Sequence, residues 1–133
     1  MRTLITGAPK VGKTTMALEI ARMRRHLCTD PQDLCPAGVA GTPLDLGWSE
    51  CSLWIAQHWL ELPGPWVIEG VAVPRALRKW RALHPDAPPP ADELIVLTEQ
   101  RQALEPGQKR MGTALHSVLD ELHEWLAPIM VYR

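Results

Sequence analysis

The sequence contains no phenylalanine and only three cysteines, Cys28, Cys35 and Cys51. An odd count without Cys-x-x-Cys spacing argues against a disulfide framework or a zinc ribbon, and is read as a reducing, cytoplasmic setting. No run of about 18 apolar residues occurs, so no membrane span is expected. Residues 1–6 lead straight into a glycine-containing loop, which reads as the absence of a signal peptide. Neither sign of charge dominates: 14 basic residues face 15 acidic ones, for a net charge of −1. Nucleic acid is therefore not indicated as a partner, and any polyanion must be met by a local arrangement of groups. Internal repeats and long low-complexity tracts are also missing, and the 13 prolines are scattered apart from Pro88-Pro89-Pro90, so they punctuate a fold.

What is present suits one domain spanning residues 1–133. With 46% hydrophobic and 22% charged residues, the chain can bury a single core. Residues 2–6 form a β-prone run ending in Gly7, and Met16, Ala17, Ile20 and Met23 recur at helical spacing within residues 13–25. A short strand is expected at residues 26–29, closed by Asp30-Pro31. Residues 31–47 are rich in Gly, Pro and Asp and are too long for a simple connector. Ser49 can cap a helix carrying Cys51, Trp54, Ile55, His58, Trp59 and Leu62, which Pro63-Gly64-Pro65 ends.

Trp66-Val67-Ile68 reads as a strand buried on both sides and is followed at once by Glu69-Gly70. Pro74 can open a helix with Leu77, Trp80 and Leu83 inward and Arg75, Arg78, Lys79 and Arg81 outward. Leu94 to Leu97 form a further strand and Pro106-Gly107 a break. Met111, Leu115, Val118, Leu119, Leu122 and Leu126 trace a strong helix, and residues 129–132 supply a last strand. Five short apolar strands alternating with helices predict an α/β fold, a three-layer α/β/α arrangement around a five-stranded parallel sheet.

One segment carries a specific chemical signal. Gly7-Ala8-Pro9-Lys10-Val11-Gly12-Lys13-Thr14 satisfies G-x-x-x-x-G-K-[ST] in full, after a strand and before a helix. Glycines there let backbone N–H groups wrap a phosphate, and the helix N-terminus adds partial positive charge. Lys13 can reach the β and γ oxygens, Thr14 can ligate Mg²⁺, and Thr15 is counted with the loop among the nucleotide-binding residues. Lys10 reads as a solvated side chain. The bland alternative is a glycine-containing strand-to-helix turn that binds nothing. In open parallel sheets ligands bind at the carboxyl ends of strands, which makes Asp30, Glu69 and Thr98 the next candidates.

With these residues in view, the chain resembles the P-loop kinases that include adenylate kinase, shikimate kinase and small kinase-like proteins of phage genomes. Three segments carry the resemblance: the loop at residues 7–14, Val67-Ile68-Glu69-Gly70 with Pro74-Arg75 two residues later than is usual, and a basic region after Leu97. The resemblance implies an ATP-dependent phosphotransferase (or one using another nucleoside triphosphate) with Mg²⁺ and a nucleotide or small-molecule acceptor. It implies that Thr14 ligates the metal and Glu69 holds it through water, that Asp30 binds the acceptor or takes its proton, and that Arg75 clamps an anionic group of the acceptor. Arg101 and Arg110 resemble lid arginines closing over the triphosphate. Apart from the resemblance, Glu69 reads equally as a surface carboxylate capping the next helix, and Asp30 as a plain Asp-Pro turn.

Other features take the plainer reading. Trp54 and Trp59 fall on an amphipathic face and are expected in the core, and Arg78, Lys79 and Arg81 on a solvated one. His26, His58 and the cysteines match no standard metal-ligand spacing, so no structural metal is assigned. Two other function classes are compatible with a phosphate cradle: an ATPase that drives a partner or a nucleic-acid process, and a nucleotide-binding regulatory protein without turnover. The pair of acids at strand exits, Asp30 and Glu69, favours chemistry.

Overall fold

The structure, a computed structural model, describes residues 1–7, 25–28, 48–98 and 106–133. The loop residues Ala8, Pro9, Lys10, Val11, Gly12, Lys13, Thr14 and Thr15 lie outside the described residues. So do residues 13–24 of the helix expected over residues 13–25, the segment 31–47, Asp30 and Arg101, whereas residue 25 of that expected helix is the first of a strand.

Within the described residues the architecture is α/β with a parallel sheet, as the alternation of elements predicts. The strands are β1 (Arg2–Gly7), β2 (Arg25–Cys28), β3 (Trp66–Glu69), β4 (Glu93–Leu97) and β5 (Met130–Tyr132). The helices are α1 (Trp48–His58), α2 (Val73–Leu83), α3 (Pro106–Glu121) and the single turn α4 (His123–Leu126). The order across the sheet is β2-β3-β1-β4-β5, with every pairing parallel. β5 is only three residues long, and Val131 and Tyr132 are exposed, so it is an edge added to β4.

The order of the strands dictates where the helices go. From β2 to β3, from β3 over β1 to β4, and from β4 to β5, the chain moves across the sheet in one direction. Right-handed crossovers of one direction place their helices on one face. Accordingly α2 packs against both α1 and α3. Leu4, Leu27, Trp66, Ile68, Leu94 and Val96 share a single buried cluster with Ile55, Leu77, Leu119 and Leu126 from the helices.

Side chains alternate along a strand, so the neighbours of those residues face the other way. Thr3, Ile5, Val67, Glu69, Ile95 and Leu97 lie outside that cluster yet are equally buried. Both faces of the sheet are therefore covered, which is why β3 and β4 read in the sequence as unbroken apolar runs.

Local chemistry explains the boundaries. Pro74 occupies the first turn of α2, where its missing N–H costs nothing, and the helix closes with the His84 N–H donating to the Trp80 and Arg81 carbonyls just before Pro85. Pro106 stands at the first position of α3, so it opens that helix where the sequence reads only a break. Leu83, expected inward, is 49% exposed. The inward stripe of α2 runs through Val73, Ala76, Leu77 and Trp80, and its continuation is His84, whose ring stacks on Trp80 at 4.2 Å between centroids.

Trp54, Trp59, Trp66, Trp80 and Trp125 serve as bulky core or core-flanking residues in place of phenylalanine, and those on the sheet and the later helices also find partners for their N–H groups. Trp66 is fully buried and donates to the Leu62 carbonyl at 2.9 Å, and Trp125 donates to the Ala87 carbonyl at 3.0 Å. Trp80 donates to the Glu61 carboxylate at 2.8 Å. Trp59 is buried and Trp54 half-buried with an edge-on contact to it, as the amphipathic spacing predicts.

Candidate functional site at the carboxyl ends of the strands

Because all strands are parallel, their carboxyl ends share one edge of the sheet. β1 lies between β3 and β4, with Ile5 level with Glu69 and Gly7 level with Leu97. The residue that opens the phosphate-loop motif thus leaves the middle strand, and the candidate acid leaves its neighbour. β2 ends at the same level, with Cys28 opposite Glu69.

The exits of β1 and β3 are tied together. The Thr6 hydroxyl donates to the Gly70 carbonyl at 2.9 Å, and the Gly70 N–H donates to the Ile5 carbonyl at 3.1 Å. Gly7 and Gly70 have φ of 156° and 143°, values that side-chain-bearing residues rarely adopt. Adjacent strands β1 and β3 therefore end at glycine conformations, and the hydroxyl of Thr6 fastens the exit of β3 to β1. The sequence marked Gly7 by its motif, but nothing in it singled out Thr6 as the fastener.

Glu69 is fully buried. Helix α2 starts after Ala72 without a side-chain cap, so Glu69 is not the surface helix cap of the plainer sequence reading. It lies on the sheet face opposite α1, α2 and α3. The residue has a polar contact of its own, and its Oε2 is buried.

The remaining candidates are scattered over the strand exits and the helices. Thr98, leaving β4, is exposed, and both its N–H and its hydroxyl donate to the Arg133 carbonyl, at 2.8 and 3.1 Å, so it fastens the edge strand. Arg75 is half-buried in the first turn of α2 and lines a cleft of about 320 Å³ together with Ser52, Arg78, Lys79, Ala114, Ser117 and Val118. Arg110 lies on α3, and its side chain is outside the described residues.

The outward face of α2 is not simply solvated. Lys79 is half-buried, Arg78 stands 4.0 Å from Glu121, and the Arg81 guanidinium sits 5.4 Å from the centre of the Trp125 ring. Sequence periodicity assigned these side chains to the outside correctly but could not show that α3 and α4 supply partners there.

The fold and this edge define an open parallel α/β sheet whose central strand ends in a glycine beside a buried acid. No protein-family model matches the chain, and no curated protein matches it either. Among the described residues no helix is long and apolar enough to cross a membrane.

Proposed function

We propose that the chain is a P-loop phosphotransferase of the kinase-like three-layer type. It binds ATP or another nucleoside triphosphate at the carboxyl end of β1 and transfers the terminal phosphoryl group to a nucleotide or small-molecule acceptor. The observation that carries this reading is the complete Gly7-to-Thr14 motif beginning on β1 at the point where the chain reverses direction across the sheet. To reach β2 the chain leaves β1 toward β3 and beyond it, whereas from β3 and β4 it runs the opposite way. Crevices at such reversals are where open α/β sheets take their ligands.

The donor set suits the reaction. Mg²⁺ prefers hard oxygen ligands and keeps several waters, so the Thr14 hydroxyl would ligate it and the Glu69 carboxylate would hold it through water. When bound, the cation neutralises charge on the β and γ phosphates. Lys13 and the loop N–H groups orient the triphosphate, and the glycine exits at Gly7 and Gly70 let backbone approach it closely. An acceptor oxygen attacks the γ-phosphorus and the bond to the β-phosphate oxygen breaks. The diphosphate then leaves, and the acceptor's proton passes to Asp30. Arg75, Arg101 and Arg110 hold anionic oxygens of the acceptor and the transferring group.

The test is Mg²⁺-dependent ATP consumption by the purified chain against a panel of nucleoside monophosphates and small hydroxylated metabolites, with the phosphorylated product identified by mass spectrometry. Lys13→Ala removes charge-assisted bonds worth about 1.5–3 kcal/mol, so ATP affinity should fall about 10- to 150-fold while the circular dichroism spectrum is retained. Unchanged ATP affinity in that variant would overturn the assignment. ATP binding with no acceptor-stimulated turnover would replace the kinase by a partner-driven ATPase or a nucleotide-binding regulator.

A further inference from the structure

Thr6 stands directly before Gly7, where the phosphate-loop motif begins, and it is fully buried. A hydroxyl taken out of water is costly unless it is hydrogen-bonded, and that of Thr6 donates to the Gly70 carbonyl at 2.9 Å. Gly70 is itself buried and follows Glu69 at the exit of β3, and its N–H donates to the Ile5 carbonyl at 3.1 Å. Both backbone polar groups of the residue after the acid are thus held by consecutive residues of β1.

The double hold falls where regular pairing stops. β3 ends at Glu69, level with Ile5, and Gly70 has φ of 143° with no side chain to restrict it. The N–H bond fixes the peptide that joins Glu69 to Gly70, and the hydroxyl bond fixes the one that joins Gly70 to Val71. With both anchored to β1, rotation of the segment leading into α2 is not passed back through the glycine to Glu69. Thr6 lies two residues beyond Leu4 and so shares its face, on the side of α1, α2 and α3, whereas Glu69 faces the other way. The hydroxyl therefore acts on the acid through the backbone. Thr98 makes the same kind of bond at the exit of β4, to the Arg133 carbonyl at 3.1 Å, but that bond fastens the edge strand.

We infer that Thr6 is a positioning residue of the strand-end site, whose hydroxyl sets the place of Glu69 relative to the start of the phosphate loop. One side chain joins the two working parts: the residue after it opens the loop, and the residue it bonds follows the acid. The inference rests on the triphosphate reading and deepens it, because an acid that holds a cation through water must keep its distance from the phosphates to act.

Thr6→Val keeps the shape and removes the hydroxyl, Thr6→Ser keeps the hydroxyl, and both are compared with Glu69→Gln and with the Thr6→Val/Glu69→Gln double variant in the full-length chain. Each is loaded with ATP and Mn²⁺ as a paramagnetic stand-in for Mg²⁺ for electron paramagnetic resonance, and Mg²⁺-dependent turnover is measured in parallel. In Thr6→Val the Mn²⁺ spectrum should depart from the parent's toward that of Glu69→Gln, and turnover should fall about 3- to 10-fold, with ATP affinity within about threefold. Thr6→Ser should restore both. In the Glu69→Gln background Thr6→Val should add no further loss, because a residue that acts through the acid has nothing left to position. Thr98→Val, which removes a comparable bond, should leave the spectrum as in the parent. Circular dichroism and urea melts establish that each variant is folded, and Thr6→Ala takes the place of Thr6→Val if the valine chain does not fold. A parent-like spectrum in folded Thr6→Val, a change that Thr6→Ser does not reverse, or losses that multiply in the double variant would each overturn the inference and leave the phosphate loop in place. Failure of the parent chain to bind ATP would overturn both, and where the parent binds ATP without turnover the spectra alone decide.

Discussion

A carboxylate withdrawn from water costs several kcal/mol unless charge or hydrogen bonds compensate it, and Glu69 is withdrawn completely. Its neighbours along the same sheet face, Ile5 and Val67, are apolar and buried, and Glu69 keeps a polar contact of its own among them. Glu69→Gln keeps the shape and removes the charge. Under the proposed function, ATP affinity should stay within about threefold while Mg²⁺-dependent turnover falls about tenfold or more, a loss of roughly 1.4 kcal/mol of transition-state stabilisation. Equal turnover in a steady-state assay would remove Glu69 from the site.

Asp92 acts at the other end of the strands. It accepts a hydrogen bond from the Arg2 backbone N–H at 2.7 Å, and this bond, ahead of the Arg2 charge, holds its carboxyl below the ordinary aspartate value. With the folded value depressed, the stabilisation is fully present above the unfolded aspartate value and is lost as pH falls through the folded one. Asp92→Asn should therefore be less stable than the parent chain at neutral pH, with the difference disappearing at acid pH. Urea melts across the acid range measure this, and a pH-independent difference would contradict the account. The Arg2 to Asp92 pairing joins residues that are distant in sequence, and no local motif announces it.

Helix α2 shows how far periodicity carries at the scale of an element. Spacing alone places Leu77 and Trp80 inward and the four basic residues outward, and the structure agrees. Leu83 departs from the pattern because the helix ends there and His84 takes the inward place against Trp80. Leu77→Ala should cost about 2–5 kcal/mol by leaving a cavity among sheet and helix side chains. Leu83→Ala should change stability by no more than about 0.5 kcal/mol. Urea denaturation monitored by tryptophan fluorescence distinguishes the two, and comparable losses would refute the assignment of the stripe. Pro106 is the companion case: a proline both ends the preceding segment and suits the first turn of a new helix, and only the fold of α3 decides between the two.

For the whole molecule, one cluster of buried residues links the sheet to α1, α2, α3 and α4, and it includes Trp59, Trp66 and Trp80. A chain of this size with a continuous core should unfold in one cooperative step. Tryptophan fluorescence and far-ultraviolet circular dichroism are expected to give coincident transitions in urea, and separated midpoints would show independently unfolding parts.

By itself the sequence determined the parallel α/β class, the positions of β1, β3 and β4, the inward stripe of α2 and the G-x-x-x-x-G-K-[ST] motif beginning at Gly7. Each of these is a local property, set by side-chain period, by proline and glycine, or by residue type at fixed spacing. Tertiary structure alone decided that β1 would stand between β3 and β4, that Glu69 would be buried on the sheet face away from α1, α2 and α3, and that Thr6 would fasten Gly70. It also brought Arg75, Arg78 and Lys79 to one cleft with serines from two other helices. Strand order and helix packing are settled by which distant surfaces bury one another, and a side chain's period in the chain carries no information about which surface it will meet.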